Sequence, residues 1–388
     1  MTQTFIAQTT TPDSALAGRE LGGGIRAAFG GEPADAVIVF ASAQHEYETL
    51  LRALADAAGT AQVVGSSSAG EFTHDGAAEG RVSALALRSQ EMRFAVGLGT
   101  GIAADPEQAA GQLLGGFAGI TSPAMPYRSA LVMTDALAGH ADRLVESLTV
   151  RTAGNYRFFG GGAGDDGRFQ TTHVFAQGRA YTNAVVALEI LSRKPVGVGV
   201  SHGWRPVGPL LRVTESHGSR LVSLNGAPAL EAVARHAQDT EQRFDAADPM
   251  PFFLHNVLGI RSEGEWRLRV PLAVHEDGSL ACAADVPEGA VVSMMRTSAS
   301  SAVEAATQAT SAALGALGGH RPAAALFFDC VATRLRLGRA FEDEVKAAAR
   351  LVQPAGLVGC NTYGQIARAE GQFGGFHNCT AVVCVLPA

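Results

Sequence analysis

Small polar side chains gather around glycine in two stretches of this chain. One is Ser66, Ser67 and Ser68 in VGSSSAGEF (Val64–Phe72); the other is Asn361, Thr362 and Tyr363 in VGCNTYGQI (Val358–Ile366). Hydroxyls and amides of this kind donate and accept hydrogen bonds, and successive backbone N–H groups in a Gly-rich turn can form an anion-binding nest. A third stretch, FGGGAGDD, ends in Asp165 and Asp166, which can bind a ligand amine. The plainer role of all three is a tight connection between strands. His377-Asn378 follows the last turn closely and can hydrogen-bond a carboxylate, cap the turn or supply an axial haem ligand. His202-Gly203-Trp204 follows an apolar strand. His202 is a second candidate axial ligand, and Trp204 packs either a flat ligand or a seam between domains. His255 lies in the apolar run PFFLHNVLGI, a setting that suits a hydrogen-bonded core histidine or a haem pocket. Tyr363 can stack on a ligand. Arg334, Arg336 and Arg339 can meet carboxylates or propionates, or form a solvated face.

Other chemistries find less support. Gly162-x-Gly164-x-x-Gly167 spells a dinucleotide fingerprint, but no helix follows it and its two aspartates repel a pyrophosphate. No GxxxxGK[ST], HExxH or GxSxG occurs. A serine-dependent hydrolase or transferase using Ser66–Ser68 stays open only because triads assemble from distant segments.

The elements that hold these residues recur in one order: buried strand, helix, short strand, Gly-rich turn, strand. The pattern predicts a first cycle with a helix over 15–29, a strand over 36–42 (AVIVFAS), a helix over 47–58 and a short strand over 62–65 entering the turn. Strands over 81–87 and 92–98 follow and are expected to pair. A helix over 106–117 and a Pro-rich loop come next, and the second cycle begins there, with a strand over 129–134, a helix over 141–150, a strand over 156–159 and, after its Gly-rich turn, strands over 172–175 and 184–190. Strands over 197–201, 211–214, 252–260 and 266–270 come next, with a hairpin of 280–284 and 291–295. The third cycle has helices over 300–317 and 341–352 and strands over 324–330, 356–359 and 378–386. The first and last turns align without gaps, Ser68 facing Thr362 and Glu71 facing Gln365. The middle turn aligns through Ala163, Gly164 and Asp165 against Ala69, Gly70 and Glu71. The fold class expected is α/β, mixed α+β: internally repeated units in two packed domains with mixed sheets.

Composition limits the partners. With 388 residues, 47% hydrophobic and 17% charged, the chain can bury a large core and exceeds one ordinary domain. The net charge is −7 and only Lys194 and Lys346 are lysines, so nucleic-acid binding has no electrostatic support. No apolar run reaches the ~18 residues of a membrane span, and the start lacks a secretory signal, which points to the cytoplasm. The five scattered cysteines read as buried reduced thiols.

These motifs together resemble the FIST sensory family, with tandem FIST N-terminal and C-terminal domains. The resemblance rests on VIVFASAQHEYETLLRAL (Val37–Leu54) with VVGSSSAGEF, on FFGGGAGDD (Phe158–Asp166), and on the segment Val196–Glu231. FFDCVATRLRLG, GCNTYGQI and FHNCT carry it to the C-terminus. Ser66 stands where the family usually has Cys, Gln365 where it usually has Glu, and Thr333 near a usual Arg. The resemblance implies a lead-in over 1–30, an N-terminal domain over 31–222 and a C-terminal domain over 223–388. It implies a sensory protein rather than an enzyme, binding a small ligand such as an amino acid. The chain ends with the last family strand, so the signal is expected to pass to a separate output protein such as a histidine kinase. Some similar members bind haem as nitric-oxide sensors, which makes haem b a candidate cofactor held by one of His255, His377 or His202.

Overall fold

The computed structural model describes residues 2–78, 80–120, 125–262, 265–368 and 375–388. Three sheets share one plan. In the first, the central strand Ala36–Ala41 lies parallel to Val63–Ser67 and antiparallel to Val82–Ser89, which pairs at the edge with Thr2–Thr9. In the second, Tyr127–Thr134 lies parallel to Arg157–Gly162 and antiparallel to Ala184–Ser192, with Met92–Thr100 at the edge. In the third, Pro322–Cys330 lies parallel to Gly356–Thr362 and antiparallel to Ala381–Pro387, with Gly197–Ser201 at the edge. The central strands are apolar runs because both of their faces are covered. Ala36–Ala41 is buried at every residue.

Each sheet is completed by a hairpin from another unit. Glu71–Thr73 and Gly76–Ala78 join the third sheet through Gly356–Thr362. Val174–Ala176 and Arg179–Tyr181 join the first sheet through Val63–Ser67. Gln365–Ala367 and Phe376–His377 join the second sheet through Arg157–Gly162. The exchange is cyclic, so each unit lends a hairpin to one neighbour and borrows one from the other. The inner faces then pool into a single core in which the Phe40 and Phe328 rings meet edge to face at 5.7 Å.

Helices cover the outer faces. Ser14–Ala28 and Tyr47–Ala58 cover the first sheet, Pro106–Leu114 and Ala141–Arg151 the second, and Ala299–Gly315 and Phe341–Val352 the third. Edge-strand glycines set how closely a helix approaches. A Cβ on Gly97 or Gly99 would meet the Leu113 or Ala109 carbonyl oxygen at 2.3 or 2.0 Å. One on Gly197 or Gly199 would meet that of Ala313 or Ala309 at 1.9 Å. The same spacing, strand residues two apart against helix residues four apart, thus recurs in units two and three.

Between Gly197–Ser201 and Ala299–Gly315 the third unit carries an insert. Its antiparallel sheet and the helix Ala229–Asp239 enclose their own core, which includes Leu221, Val233, Phe252, Phe253 and Val292. The result is the expected mixed α+β class in two packed domains.

Several local expectations are corrected. Val82–Ser89 and Met92–Thr100 do not pair; they lie in different sheets. The segments around 280–284 and 291–295 do not pair either. Leu280–Cys282 joins Arg220–Leu224 and Pro271–Val274, whereas Val291–Arg296 joins Val257–Ser262. The run expected as a strand over 252–260 divides into a short helix, Met250–Phe253, and the strand Val257–Ser262. Thr2–Thr9, which the sequence did not mark as a strand, forms the first edge.

Candidate ligand site

The three Gly-rich turns lie where the parallel strands end, and the register of those strands explains their first glycines. Gly65 sits beside Val39, Gly160 beside Val132 and Gly359 beside Phe327. A Cβ there would come within 1.7, 2.1 and 2.0 Å of the neighbouring carbonyl oxygens. This register also corrects the alignment of the middle copy by one residue. Gly160 is the counterpart of Gly65, and Ala163 takes the place of Ser68: Ala163 N–H donates to the Thr134 carbonyl at 2.8 Å as Ser68 N–H donates to the Ala41 carbonyl at 3.0 Å.

The turns are laced to one another. Gly164 N–H donates to the Ser67 carbonyl at 3.0 Å, Asp166 N–H to that of Ser68 at 3.0 Å and Ala69 N–H to that of Asn361 at 2.9 Å. Asn361 N–H donates to the Gly70 carbonyl at 2.8 Å, Gly162 N–H to that of Gly364 at 2.9 Å and Tyr363 N–H to that of Gly162 at 3.0 Å. Backbone donors that would make an anion nest are consumed in this way.

Many side chains proposed for the site also serve the lacing. Ser67 Oγ accepts from the His173 N–H at 2.9 Å. Ser68 Oγ donates to Glu71. The Asp165 carboxylate accepts the Tyr363 hydroxyl and the N–H groups of Phe169, Gln170 and Thr171 at 2.8, 2.6 and 2.9 Å. Burial pushes the Asp165 pKa up, but these four donors outweigh it and the carboxyl lies below its usual range. Asp166 accepts from Ser42 Oγ at 2.9 Å and Ala43 N–H at 3.0 Å. Thr362 Oγ donates to the Asp329 carbonyl at 3.2 Å and accepts from Gln365 Nε2 at 2.9 Å. Arg334, expected on a solvated face, donates to the Ala69 carbonyl instead.

Other candidates lie at the seam between insert and core. Trp204 is buried with Val257, Leu268 and Met295 of the insert and Cys330 and Cys379 of the third unit. The Arg336 guanidinium lies 5.5 Å from its ring centroid. Asp329 and Glu344 are buried beside a small cavity there, and each has one carboxylate oxygen without a hydrogen-bond partner. Burial raises both carboxyls, and the Asp329 charge raises Glu344 further. Asn378 Nδ2 donates to the His377 carbonyl at 3.2 Å; its Oδ1, Asn361 Nδ2 and Ser66 Oγ are buried without partners.

The three histidines do not fit a haem as they stand. His202 Nε2 bonds the Trp266 carbonyl at 2.7 Å and its Nδ1 accepts the Trp204 N–H at 3.3 Å, which occupies both ring nitrogens. The cavity beside it holds about 10 Å³. His377 Nε2 bonds the Ala367 carbonyl at 3.1 Å. His255 is exposed in the turn after Met250–Phe253, not on an apolar strand. The serine hydrolase reading also loses its support. Ser66, Ser67 and Ser68 are fully buried, and among the described residues no histidine ring nitrogen bonds their hydroxyls.

Space for a ligand opens next to the turns. A cleft of about 530 Å³ separates the insert from the second unit. Tyr363 and Phe376 lie on its core side with His140, Asp142 and Arg143 at the start of Ala141–Arg151; His217 and Asp285 face them from the insert. The insert is tied down at the same place: Arg269 Nη2 contacts Asp142 Oδ1 at 3.1 Å and Oδ2 at 3.3 Å, and the Arg269 side chain is 1% exposed. Burial raises Asp142, and the Arg269 charge only partly offsets it. Except for Tyr363, these cleft residues carry no sequence signal, because they come from segments far apart in the chain.

Residues 35–227 match the FIST N domain and residues 229–368 the FIST C domain. The chain belongs to the FIST family. FIST domains are sensory domains that bind small ligands. The FIST N match takes in most of the first two units and the edge strand Gly197–Ser201, and the FIST C match takes in most of the insert and of the third unit. The cleft is lined from both matched segments: Asp142 and His217 lie in the FIST N match, and Asp285 and Tyr363 in the FIST C match. No curated protein matches the chain. A solved structure of a cyanuric acid hydrolase from A. caulinodans is similar at a TM-score of 0.30 and 9% identity, covering 100% of this chain and 99% of that one. Among the described residues no helix is long and apolar enough to cross a membrane.

Proposed function

We propose that this FIST protein is a stand-alone cytoplasmic sensor rather than an enzyme. In this reading it binds a small polar ligand in the cleft between the insert and the second unit and signals through a separate output protein such as a histidine kinase. The observation that carries the reading is the position of the 530 Å³ cleft, where the insert meets the core. Asp142 both lines the cleft and holds Arg269 of the insert. A ligand engaging Asp142 changes how the insert is held, which gives occupancy a mechanical consequence. The lining offers carboxylates to an amine (Asp142, Asp285) and cationic or neutral donors to a carboxylate (Arg143, His140, His217), a pattern that suits a zwitterion such as an amino acid. No chemical step is assigned, since Ser67, Ser68 and Asp165 are committed to holding the fold and Ser66 is fully buried.

The test is a thermal-shift screen of the full chain against amino acids and small carboxylates. A true ligand at ~100 times its Kd stabilises by about 2.7 kcal/mol. The shift should vanish in His217→Ala and Arg143→Ala. A broad screen without a stabilising compound, or a shift indifferent to both substitutions, would refute the assignment of the cleft.

A further inference from the structure

Two of the five free, buried cysteines face each other at the seam between the insert and the third unit. Cys330 ends the strand Pro322–Cys330, and Cys379 lies between the strands Phe376–His377 and Ala381–Pro387. The antiparallel register sets Phe328 opposite Val382, and two further residues bring Cys330 level with Thr380, next to Cys379. The Cys379 thiol donates a hydrogen bond to the Cys330 sulfur. The same sulfur accepts from the Cys379 and Ala332 N–H groups and from the Gln365 side chain. Gln365 is itself held: its Nε2 donates to Thr362 Oγ at 2.9 Å and its Oε1 accepts the Thr380 N–H at 3.2 Å. The sheet and one amide side chain thus fix both members of the pair.

These surroundings favour a thiolate at Cys330. The donors that converge on its sulfur, led by the Cys379 thiol, outweigh burial and lower its pKa to about 6. The other three cysteines lie in apolar surroundings, Cys360 and Cys384 in the central core and Cys282 in the core of the insert, where burial pushes their thiols up. Cys379 also borders the small cavity at the seam, beside His202, Trp204, Asp329 and Glu344. Its volume of about 10 Å³ is room for one water-sized group, so a small oxidant can approach the pair from the seam. Among the described residues no group of His, Cys, Asp and Glu suited to a metal ion includes the two thiols.

We propose that Cys330 and Cys379 form a redox-active dithiol that a small hydroperoxide converts into a disulfide. The Cys330 thiolate attacks one oxygen of the peroxide. The O–O bond breaks, and the departing oxygen takes up the proton that Cys330 released and leaves as water or an alcohol. Cys330 is then a sulfenic acid. The Cys379 sulfur attacks it, the S–S bond forms, the S–O bond breaks, and the hydroxyl leaves as water with the Cys379 proton. In sum the two thiols give up two electrons and two protons, and the hydroperoxide is reduced to water and a second water or an alcohol. The bond forms within the cluster that also holds Val257, Leu268 and Met295 of the insert, so the surface on which the insert rests has two covalent states.

To test this, the folded full chain is treated with hydrogen peroxide and quenched, and its thiols are counted and mapped after alkylation in denaturant. The protein is expected to lose two of its five free thiols, with Cys330 and Cys379 recovered as one linked peptide pair that dithiothreitol separates. These two should react roughly tenfold faster, or more, than Cys282, Cys360 and Cys384. Cys379→Ser should stop at a sulfenic acid on Cys330 that dimedone traps, and Cys330→Ala should leave Cys379 unmodified. Should either variant fail to fold by circular dichroism, the peptide map of the unaltered protein decides. No loss of thiols, loss at one rate from all five, or a disulfide between another pair overturns the proposal.

Discussion

Tyr363 lies flat on Phe169, with ring centroids 4.3 Å apart and planes 11° from parallel. Its hydroxyl donates to Asp165, so one side chain of the last turn is clamped by two residues of the middle segment. Hydrogen bonds to charged groups contribute ~1.5–3 kcal/mol, and an aromatic pair adds about 0.5–1.5 kcal/mol beyond its area. Tyr363→Phe should therefore cost about 2 kcal/mol in urea unfolding, and Tyr363→Ala clearly more. If Tyr363→Phe unfolds at the same midpoint and slope as the unaltered protein, the clamp adds nothing.

Glu71 and His377 give the stability of the fold opposite pH dependences. Burial pushes the Glu71 carboxyl up to about 8, more than the Ser68 hydroxyl can offset. The folded state then binds more protons than the unfolded state between the ordinary carboxyl pKa of 4.5 and about 8. This contribution is complete below that window and is lost as pH rises through it. Burial pushes His377 down to about 4 from 6.5, so the unfolded state binds the extra proton there. That contribution is complete above 6.5 and is lost on acidification towards 4. Between pH 6.5 and 8 the Glu71 slope is free of the His377 one and reaches up to ~1.4 kcal/mol per pH unit. Glu71→Gln should flatten the slope by that amount. The repeat supports the choice of substitution, since Gln365 stands at the equivalent place and bonds Thr362 as Glu71 bonds Ser68. An unchanged slope in chemical unfolding across that range would rule out a neutral Glu71.

The Asp142–Arg269 pair makes a third prediction. Removing one partner of a buried pair leaves the other uncompensated, which costs ~3–5 kcal/mol, whereas replacing both by apolar groups can be nearly neutral. Arg269→Ala should loosen the insert and expose its junctions to limited proteolysis. Asp142→Leu combined with Arg269→Met should restore most of the resistance. A double variant cleaved as fast as Arg269→Ala would show that the arginine acts by packing alone.

Legibility in the sequence followed the range of the interactions. The order of strands and helices was readable because apolar runs and local caps mark it; Asp13, for example, accepts the Leu16 N–H at 2.6 Å. The outer turns aligned correctly because each has a single first glycine and distinctive side chains. The middle turn slipped by one because Gly160, Gly161 and Gly162 give three equivalent places to start. The pairing of Val82–Ser89 with Met92–Thr100 failed for a different reason. Proximity in sequence suggests a hairpin, but each strand finds its partners far along the chain, at Thr2–Thr9 and Ala184–Ser192. Thr2–Thr9 itself alternates too weakly to be read as a strand. The cleft beside the insert was hidden because its residues come from five separate places in the chain, around 140, 218, 284, 363 and 376, and Asp329 and Glu344 became candidates only once folding buried them together.

Glycine substitutions separate crowding from mere flexibility. In the helix Ser14–Ala28, Gly22 and Gly23 are adjacent but face different surroundings. A Cβ on Gly22 would lie 2.6 Å from Ala57 Cβ and 2.7 Å from the Leu54 carbonyl oxygen; one on Gly23 would have no neighbour within 4 Å. Gly23→Ala should stabilise the protein by ~0.5–1 kcal/mol, because alanine loses less backbone entropy in a helix. Gly22→Ala gains the same propensity but must push apart two packed helices, and overpacking of this kind costs about 1–3 kcal/mol. Gly359→Ala should be worse still, since the obstacle is the Phe327 carbonyl of the adjoining parallel strand, at 2.0 Å, and that oxygen cannot move without breaking the sheet. Thermal denaturation of the three variants should rank them Gly23→Ala above the unaltered protein, Gly22→Ala below it and Gly359→Ala lowest. A Gly359→Ala protein as stable as the unaltered one would mean that close strand approach is not what selects glycine in the repeated turn.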